Sequence, residues 1–129
     1  MNRTCYIAAT GFGLTAVIFG AFGAHALEIR LHPDSLKAFE TGVRYQMWHA
    51  LLLLFLSGGA EKMKVPKLTP WLFIVGIVLF SFSIYGLSCK ELLPSVNVGW
   101  LGPITPIGGG LLILGWISLF VIGLRERKA

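Results

Sequence analysis

Charged residues are scarce in this chain, making up 13% of its 129 residues. This share is about half that of an ordinary soluble domain, whereas 55% of the residues are hydrophobic. So little charge excludes an ordinary soluble domain and indicates an integral membrane protein surrounded by a lipid bilayer. The net charge is +5, but the basic residues are scattered over loops without interleaved aromatic residues, so no nucleic-acid partner is expected.

Cysteine is also scarce, with only Cys5 and Cys89 in the whole chain. Two cysteines do not make a disulfide framework or a zinc site. These two are expected near opposite membrane faces, too far apart to pair with each other. The sequence also shows no set of nucleophile, base and orienting group, which favours a protein that is not an enzyme and needs no cofactor.

Four long apolar runs are the main feature that the chain does have. They predict an all-α fold, an integral membrane four-helix bundle in which residues 1–129 form one domain, with helices crossing at about 5–27, 41–60, 69–89 and 105–124. Only helices or closed barrels satisfy the backbone inside lipid, and these runs do not alternate as barrel strands do. The first run has an alternative interpretation as a signal peptide, because Ala24-His25-Ala26 has the pattern of a cleavage site.

The second apolar run is too short to cross a membrane by itself. It covers residues 45–60, about 24 Å of helix, whereas a crossing takes about 20 residues. The preceding residues have helical spacing, which predicts an amphipathic N-terminal extension on the second helix. Glu40 and Arg44 lie on its polar stripe, four residues apart. Two interpretations follow: the stripe lies at the interface with snorkelling side chains, or a Glu40–Arg44 ion pair turns into the bundle.

Polar residues of all four helices are predicted to gather in one half of the membrane. Successive helices alternate in direction, so the end of one helix and the start of the next lie on the same side. The candidate polar cluster consists of His25, Glu40, Arg44, Gln46, His49, Tyr85 and Thr105. We expect the ring of His25 to be a hydrogen-bonding partner within this cluster.

Small residues predict where the helices approach each other closely. In the first helix, alanine and glycine recur at spacings of three and four, as is typical of membrane helix contacts. Three glycines follow the start of the fourth helix at Thr105-Pro106. The glycines expected at helix contacts are Gly13, Gly20, Gly23, Gly108 and Gly109.

The distribution of lysine and arginine predicts the orientation in the membrane. One side carries seven of these residues: Arg3, Lys62, Lys64, Lys67, Arg125, Arg127 and Lys128. The other side carries four: Arg30, Lys37, Arg44 and Lys90. The positive-inside rule therefore favours cytoplasmic termini, and a bacterial inner (plasma) membrane is the expected location.

Four motifs, in order along the chain, carry a resemblance to a known family. They are GAFGAHAL at 20–27, FETGVRYQMWH at 39–49, the serine and tyrosine stretch at 81–85, and ITPIGG at 104–109 followed by Gly115-Trp116. Together they resemble the domain of unknown function 423 family of small membrane proteins. The chain departs from that family at His32, where the family tends to place a serine before a proline. The resemblance implies a four-helix membrane protein and no particular activity.

Three functional hypotheses follow from these residues. The first is a non-enzymatic structural or accessory protein that packs with itself, as a homo-oligomer, or with a larger membrane complex. The second is a small transporter or channel, with Glu40, Arg44, Gln46 and His49 lining a polar cavity. The third is haem or metal binding through His25 and His49, because two histidines on adjacent helices can ligate an iron axially.

Overall fold

The computed structural model describes residues 1–126, and the predicted contribution of Arg127 and Lys128 to the orientation lies outside the described residues. Four long helices account for most of this part of the chain, which contains no strand. We number them α1 (Arg3–Leu27), α2 (Pro33–Gly59), α3 (Leu68–Ser88) and α4 (Ile104–Glu126). Single turns of 3₁₀-helix at Lys90–Leu92 and Gly99–Leu101 connect α3 to α4. The predicted all-α class is therefore what the structure shows.

Three helical segments are long and apolar enough to cross a membrane: Arg3–Leu27, Leu68–Ser88 and Gly99–Arg125. The remaining long helix, α2, carries charged side chains in its first three turns. It nevertheless continues unbroken over 27 residues, about 40 Å, so the extension predicted from the sequence and the following apolar run form one helix. That all four helices cross a membrane stays a prediction.

Single turns of π-helix interrupt two of the four helices. One closes α1 at Gly23–Leu27, and the other lies inside α3 at Val78–Phe82. A π turn adds a residue to the helical repeat and so rotates the side chains that follow it. The turn in α3 lies where α4 comes closest, because a Cβ on Gly108 would collide with the backbone of Phe80. This close approach fixes α3 against α4.

Side-chain caps begin the first two helices. The Asn2 side chain accepts a hydrogen bond from the Cys5 amide, and the Asn2 amide donates to the Ser57 carbonyl at 2.7 Å, which ties the start of α1 to the end of α2. At the start of α2, His32 Nδ1 accepts from the Asp34 amide at 3.3 Å. A histidine ring thus occupies the capping position where the related family tends to have serine, and Pro33 follows at the first helical position.

Two apolar cores fill the space between the helices. The terminal core lies toward the chain termini and contains Cys5, Ala9, Leu53, Leu56, Phe73, Ile77 and Leu112. The loop core lies toward the α1–α2 connection and contains Leu27, Leu31, Phe39 and Tyr85. Two of the buried polar side chains, Gln46 and His49, lie on the middle turns of α2.

The glycines predicted at helix contacts differ in how closely they are approached. A Cβ on Gly23 would lie 3.1 Å from the Phe39 ring, whereas one on Gly20 or Gly109 would make an ordinary contact at 3.5 Å. Gly108 meets the α3 backbone, as described above. Gly13 has no atom within 4 Å of its Cβ position, so its predicted packing role is not met by the described part of this chain.

Candidate functional site

The side-chain amide of Gln46 joins three helices in the centre of the molecule. Its Nε2 donates to the Phe12 carbonyl at 2.9 Å and to Thr15 Oγ1 at 2.7 Å, both on α1. Its Oε1 accepts from the Tyr85 hydroxyl of α3 at 2.6 Å. Gln46 is 0% exposed, and a buried amide is tolerated only when it is hydrogen-bonded. We call Thr15, Gln46 and Tyr85 the Gln46 network.

A glycine allows the tyrosine of this network to approach α2. A Cβ on Gly42 would lie 2.8 Å from Tyr85 Cε1, so a larger residue would displace the ring. The Gly42 carbonyl also accepts a hydrogen bond from Ser81 Oγ at 2.8 Å. The Tyr85 ring packs edge-on against Phe19 of α1 at a centroid distance of 5.1 Å. The Gln46 network therefore rests on close backbone approach as well as on hydrogen bonds.

His49 lies one turn after Gln46 and connects α2 to α4. Its Nδ1 is 2.7 Å from the Tyr45 carbonyl, which can only accept, so Nδ1 carries the hydrogen. Its Nε2 is then an acceptor and receives the Trp116 Nε1–H at 3.1 Å. Both ring nitrogens of a neutral imidazole are thus used inside the protein. We call these two residues the His49–Trp116 pair.

Two pairs of hydroxyl groups join α3 to α4 near their ends. Thr69 and Ser118 have their oxygens 2.6 Å apart, and so do Ser83 and Thr105. Hydrogen bonds of this kind hold membrane helices together where lipid offers no other polar partner. Thr105 of the predicted cluster is therefore part of a helix–helix contact and does not reach Gln46.

His25 does not belong to the polar cluster, and its predicted hydrogen-bonding role is wrong. It is exposed and makes no hydrogen bond within residues 1–126. The π turn at the end of α1 explains this, because Gly23 and Leu27 of that turn are both buried against α2 and the loop core. His25, two residues from each, projects away from the other helices.

Glu40 and Arg44 also lie outside the cluster, on the exposed side of α2. The buried side of the same turns is formed by Phe39, Gly42 and Gln46. No ion pair joins Glu40 to Arg44 in the described part of the chain, so the interpretation of an ion pair turned into the bundle is wrong. The structure fits the other interpretation, an exposed polar stripe at the end of the helix.

These positions bear on the alternative functional hypotheses. His25 and His49 are not brought together, and both nitrogens of His49 already have partners. Residues 1–126 contain no group of three or more histidine, cysteine or acidic residues that could hold a metal. A polar cavity lined by Glu40, Arg44, Gln46 and His49 is not formed either, because Gln46 is enclosed while the two charged residues point outward.

A groove of about 570 Å³ opens between α2 and α4, beside the His49–Trp116 pair. We call it the lateral groove; its lining includes Tyr45, Trp48, His49, Phe80, Gly109 and Trp116. Trp48 is 56% and Trp116 51% exposed. Sequence reasoning missed both tryptophans as site residues, although each lies inside one of the family-like motifs. The contact of Trp116 with His49 depends on the packing of α2 against α4, between residues 67 positions apart, which no local pattern reports.

Four hydroxyl residues of the polar contacts were also missed by sequence reasoning: Thr15, Thr69, Ser83 and Ser118. Thr15 interrupts the apolar run of the first helix, and Ser83 follows the π turn of α3. The sequence signal for such a residue is a hydroxyl side chain inside an apolar run. Such hydroxyls often bond their own preceding turn, as Thr15 also does to the Gly11 carbonyl, so the signal does not identify a partner on another helix.

Helices long enough to span a membrane, with inward-turned polar groups, define a small all-helical membrane protein. Comparison with known proteins agrees: the family model "Protein of unknown function (DUF423)" matches residues 19–109. The chain belongs to the DUF423 family.

Its relatives are named as membrane proteins. The chain is 41% identical to the UPF0382 membrane protein YwdK of Bacillus subtilis over 115 residues, covering 87% of this chain and 89% of that one. It is 39% identical to a UPF0382 membrane protein of the yeast Schizosaccharomyces pombe, covering 84% of this chain and 92% of that one. No solved structure matches the chain.

Proposed function

We propose that this chain is a non-enzymatic membrane protein that crosses a bacterial inner membrane four times, with both termini in the cytoplasm, and associates laterally with itself or with a larger membrane complex. The observation that carries the proposal is that the buried polar side chains form hydrogen bonds within the protein. Within residues 1–125, the hydroxyl of Ser88 is the one buried side-chain polar atom without a hydrogen-bond partner. The interior is therefore occupied by the protein's own contacts, and interactions with other molecules fall to its outer surface.

The burial of α2 supports a fourth crossing. Gln46 and His49, the polar residues of its middle turns, are both buried against other helices. The side chains that would face lipid on these turns are apolar or aromatic, such as Trp48, Leu51 and Phe55. The exposed charges Lys37, Glu40 and Arg44 lie in the first half of the helix, where long side chains can reach the headgroup layer.

The outer surface of α1 supports lateral association. Gly13 has no atom within 4 Å of its Cβ position, and Leu14 and Val17, which lie on the same side of the helix, are more than half exposed. A face that combines small residues with exposed aliphatic ones lets a second membrane helix approach closely. The contact role that we predicted for Gly13 is thus proposed for an intermolecular contact.

Native affinity purification with mass spectrometry tests the association. Wild-type protein is compared with the Arg44→Ala variant, and Lys37→Ala is the control from the same exposed stripe, two turns nearer the helix start. We expect wild type and Lys37→Ala to co-purify with the same assembly, and Arg44→Ala to lose part of it, because Arg44 lies closer to the apolar section of α2. Recovery of all three only as 14.1 kDa monomers, with nothing attached, would contradict the proposal.

A topology reporter tests the crossing and orientation separately. Alkaline phosphatase, which is active only outside the cytoplasm, is fused after Ala129, and in a second fusion it is inserted in the 93–98 loop. We expect activity only from the loop fusion. Activity from the C-terminal fusion would overturn the proposed cytoplasmic C-terminus, and equal activity from both would show that α4 does not cross the membrane.

A further inference from the structure

The lateral groove has the size of a small-molecule site. Its volume of about 570 Å³ falls within the range of roughly 300–1,000 Å³ that is usual for such sites. Side chains from α2, α3 and α4 form it, so it is a feature of the helix packing. Gly109 contributes to the space, because the nearest atoms to its Cβ position belong to the Phe80 ring at 3.5 Å. A side chain at this position would project into the groove.

The position of Trp116 along α4 is unusual for a tryptophan of a membrane protein. Trp116 is twelve residues after the start of α4 at Ile104 and ten before its end at Glu126, about 18 Å and 15 Å along the helix. Tryptophan in membrane proteins is enriched at the two interfaces, where its ring anchors the protein. Trp116 lies midway along α4, far from both helix ends, with 51% of its surface exposed. Interfacial anchoring therefore does not account for it.

The walls of the groove suit a flat ring. Tyr45 packs against Phe80 at a centroid distance of 4.9 Å and against Trp48 at 5.3 Å. An aromatic molecule gains offset or edge-on contacts on such walls. The acyl chain of a bulk lipid has no ring and gains only the ordinary apolar contact that it makes everywhere in the membrane.

The polar atoms of the groove are one donor and one acceptor placed side by side. Trp116 Nε1–H donates to His49 Nε2 at 3.1 Å. A hydroxyl group both donates and accepts, so it can insert between them, donating to His49 Nε2 and accepting from Trp116 Nε1–H. A carbonyl group only accepts, so it would take the tryptophan hydrogen and leave His49 Nε2 without a partner.

From these features we propose that the lateral groove binds a membrane-dissolved molecule with a flat aromatic ring and a ring hydroxyl, of the phenol or quinol class. The ring lies between the aromatic walls, and the hydroxyl inserts into the His49–Trp116 pair. An alkyl tail extends along the exposed side of the groove into the lipid. This site is independent of the lateral association proposed above.

Fluorine NMR of the full chain, labelled with 5-fluorotryptophan and placed in lipid nanodiscs, tests the site with 4-octylphenol as the probe. The chain has four tryptophans, and two of them serve as internal controls: Trp71 lies on another surface and Trp100 in the loop. We expect saturable shifts at Trp48 and Trp116 alone. No saturable shift, or equal shifts at all four positions as from partition into the bilayer, would overturn the proposal.

A matched ligand tests the role of the hydroxyl. The methyl ether, 4-octylanisole, keeps the ring and the tail but has no hydrogen to donate to His49 Nε2. We expect it to bind about tenfold more weakly, because insertion would leave a buried acceptor unpaired. If the ether binds as tightly as the phenol, the His49–Trp116 pair does not hydrogen-bond to the ligand hydroxyl, and the proposed ligand class is wrong.

A pair of neighbouring glycines supplies the matched variants. Gly109→Leu fills the groove, whereas Gly110→Leu adds its side chain where nothing lies within 4 Å of the Cβ position. We expect Gly109→Leu to weaken probe binding at least tenfold and Gly110→Leu to leave it unchanged, with circular dichroism confirming that both remain helical. Wild-type binding by Gly109→Leu would contradict the proposal.

The same spectra show whether another occupant fills the groove. If the Trp116 signal shifts with the protein-to-lipid ratio in the absence of probe, and the probe then adds no shift, a second copy of the chain covers the groove. That result would overturn the proposal. A Trp116 signal that is independent of this ratio and still responds to the probe supports it.

Discussion

Gln46 and His49 lie one turn apart on the same helix, yet their surroundings differ. The amide of Gln46 is enclosed by α1 and α3, and the atoms that partner it are themselves buried or half-buried. The ring of His49 has a protein partner on each nitrogen, but its α4 partner, Trp116, borders the lateral groove. The Gln46 network is surrounded by protein on every side, whereas the His49–Trp116 pair can be reached by a molecule that enters the lateral groove.

The difference shows how one helix can combine a structural and an accessible polar residue within a single turn. A closed network in a low-dielectric interior fixes the packing of the helices, because every misplaced helix would leave a buried polar group unpaired. A pair beside a groove can exchange its partner for a ligand hydroxyl without such a loss. We therefore expect substitutions in the Gln46 network to affect stability and substitutions at the His49–Trp116 pair to affect binding.

The largest expected effect is that of Gln46→Leu. The substitution keeps the volume but removes the acceptor of the buried Tyr85 hydroxyl and the donor to Thr15 Oγ1, at a cost of about 1–3 kcal/mol. Reversible unfolding in mixed micelles measures the loss. In the double variant with Tyr85→Phe, the second substitution should cost less than it does alone, because the hydroxyl it removes is already unpaired. Strictly additive losses would show that the two side chains do not interact.

A smaller loss is expected from Gly42→Ala. The added Cβ would lie 2.8 Å from the Tyr85 ring, and overpacking of this kind costs about 1–3 kcal/mol. The ring can shift outward, so we expect the lower part of this range. The matched control is Gly110→Ala, which adds the same methyl group in open space. If both variants unfold at the same denaturant concentration, Tyr85 is not held against α2 as described.

The smallest loss of stability is expected from Trp116→Phe. The phenylalanine keeps an aromatic ring in the lateral groove but removes the donor to His49 Nε2, and hydrogen bonds between membrane helices contribute only about 0.6 kcal/mol on average. The same unfolding assay should therefore show a change well below that of Gln46→Leu. A loss of stability as large as that of Gln46→Leu would show that the His49–Trp116 pair stabilises the fold as much as the Gln46 network does.

Sequence reasoning predicted what depends on local pattern. The apolar runs indicated the long helices, and the spacing before residue 45 indicated the extension of α2, because both follow from hydrophobicity and helical period. Gly108 was also expected at a helix contact, and there the α3 backbone leaves no room for a side chain.

The errors arose where the direction of a side chain depends on the packed structure. His25 was assigned to the cluster from its place at the end of the first helix, but the π turn there buries Gly23 and Leu27 and directs His25 outward. Glu40 and Arg44 were left on an undecided side of the second helix, facing either the bundle or the interface. Which side of α2 is buried depends on α1 and α3, whose positions the periodicity of α2 alone does not report.

Nitrogen NMR of the His49 ring tests the central claim most directly. The claim is that the polar groups of the helices are used in the protein's own hydrogen bonds, and His49 is the case with the clearest signature. In bilayers containing protein labelled with ¹⁵N-histidine, we expect a neutral ring with the hydrogen on Nδ1 and an Nε2 resonance that moves in the Trp116→Phe variant. A hydrogen on Nε2, or an Nε2 resonance unaffected by that substitution, would contradict it.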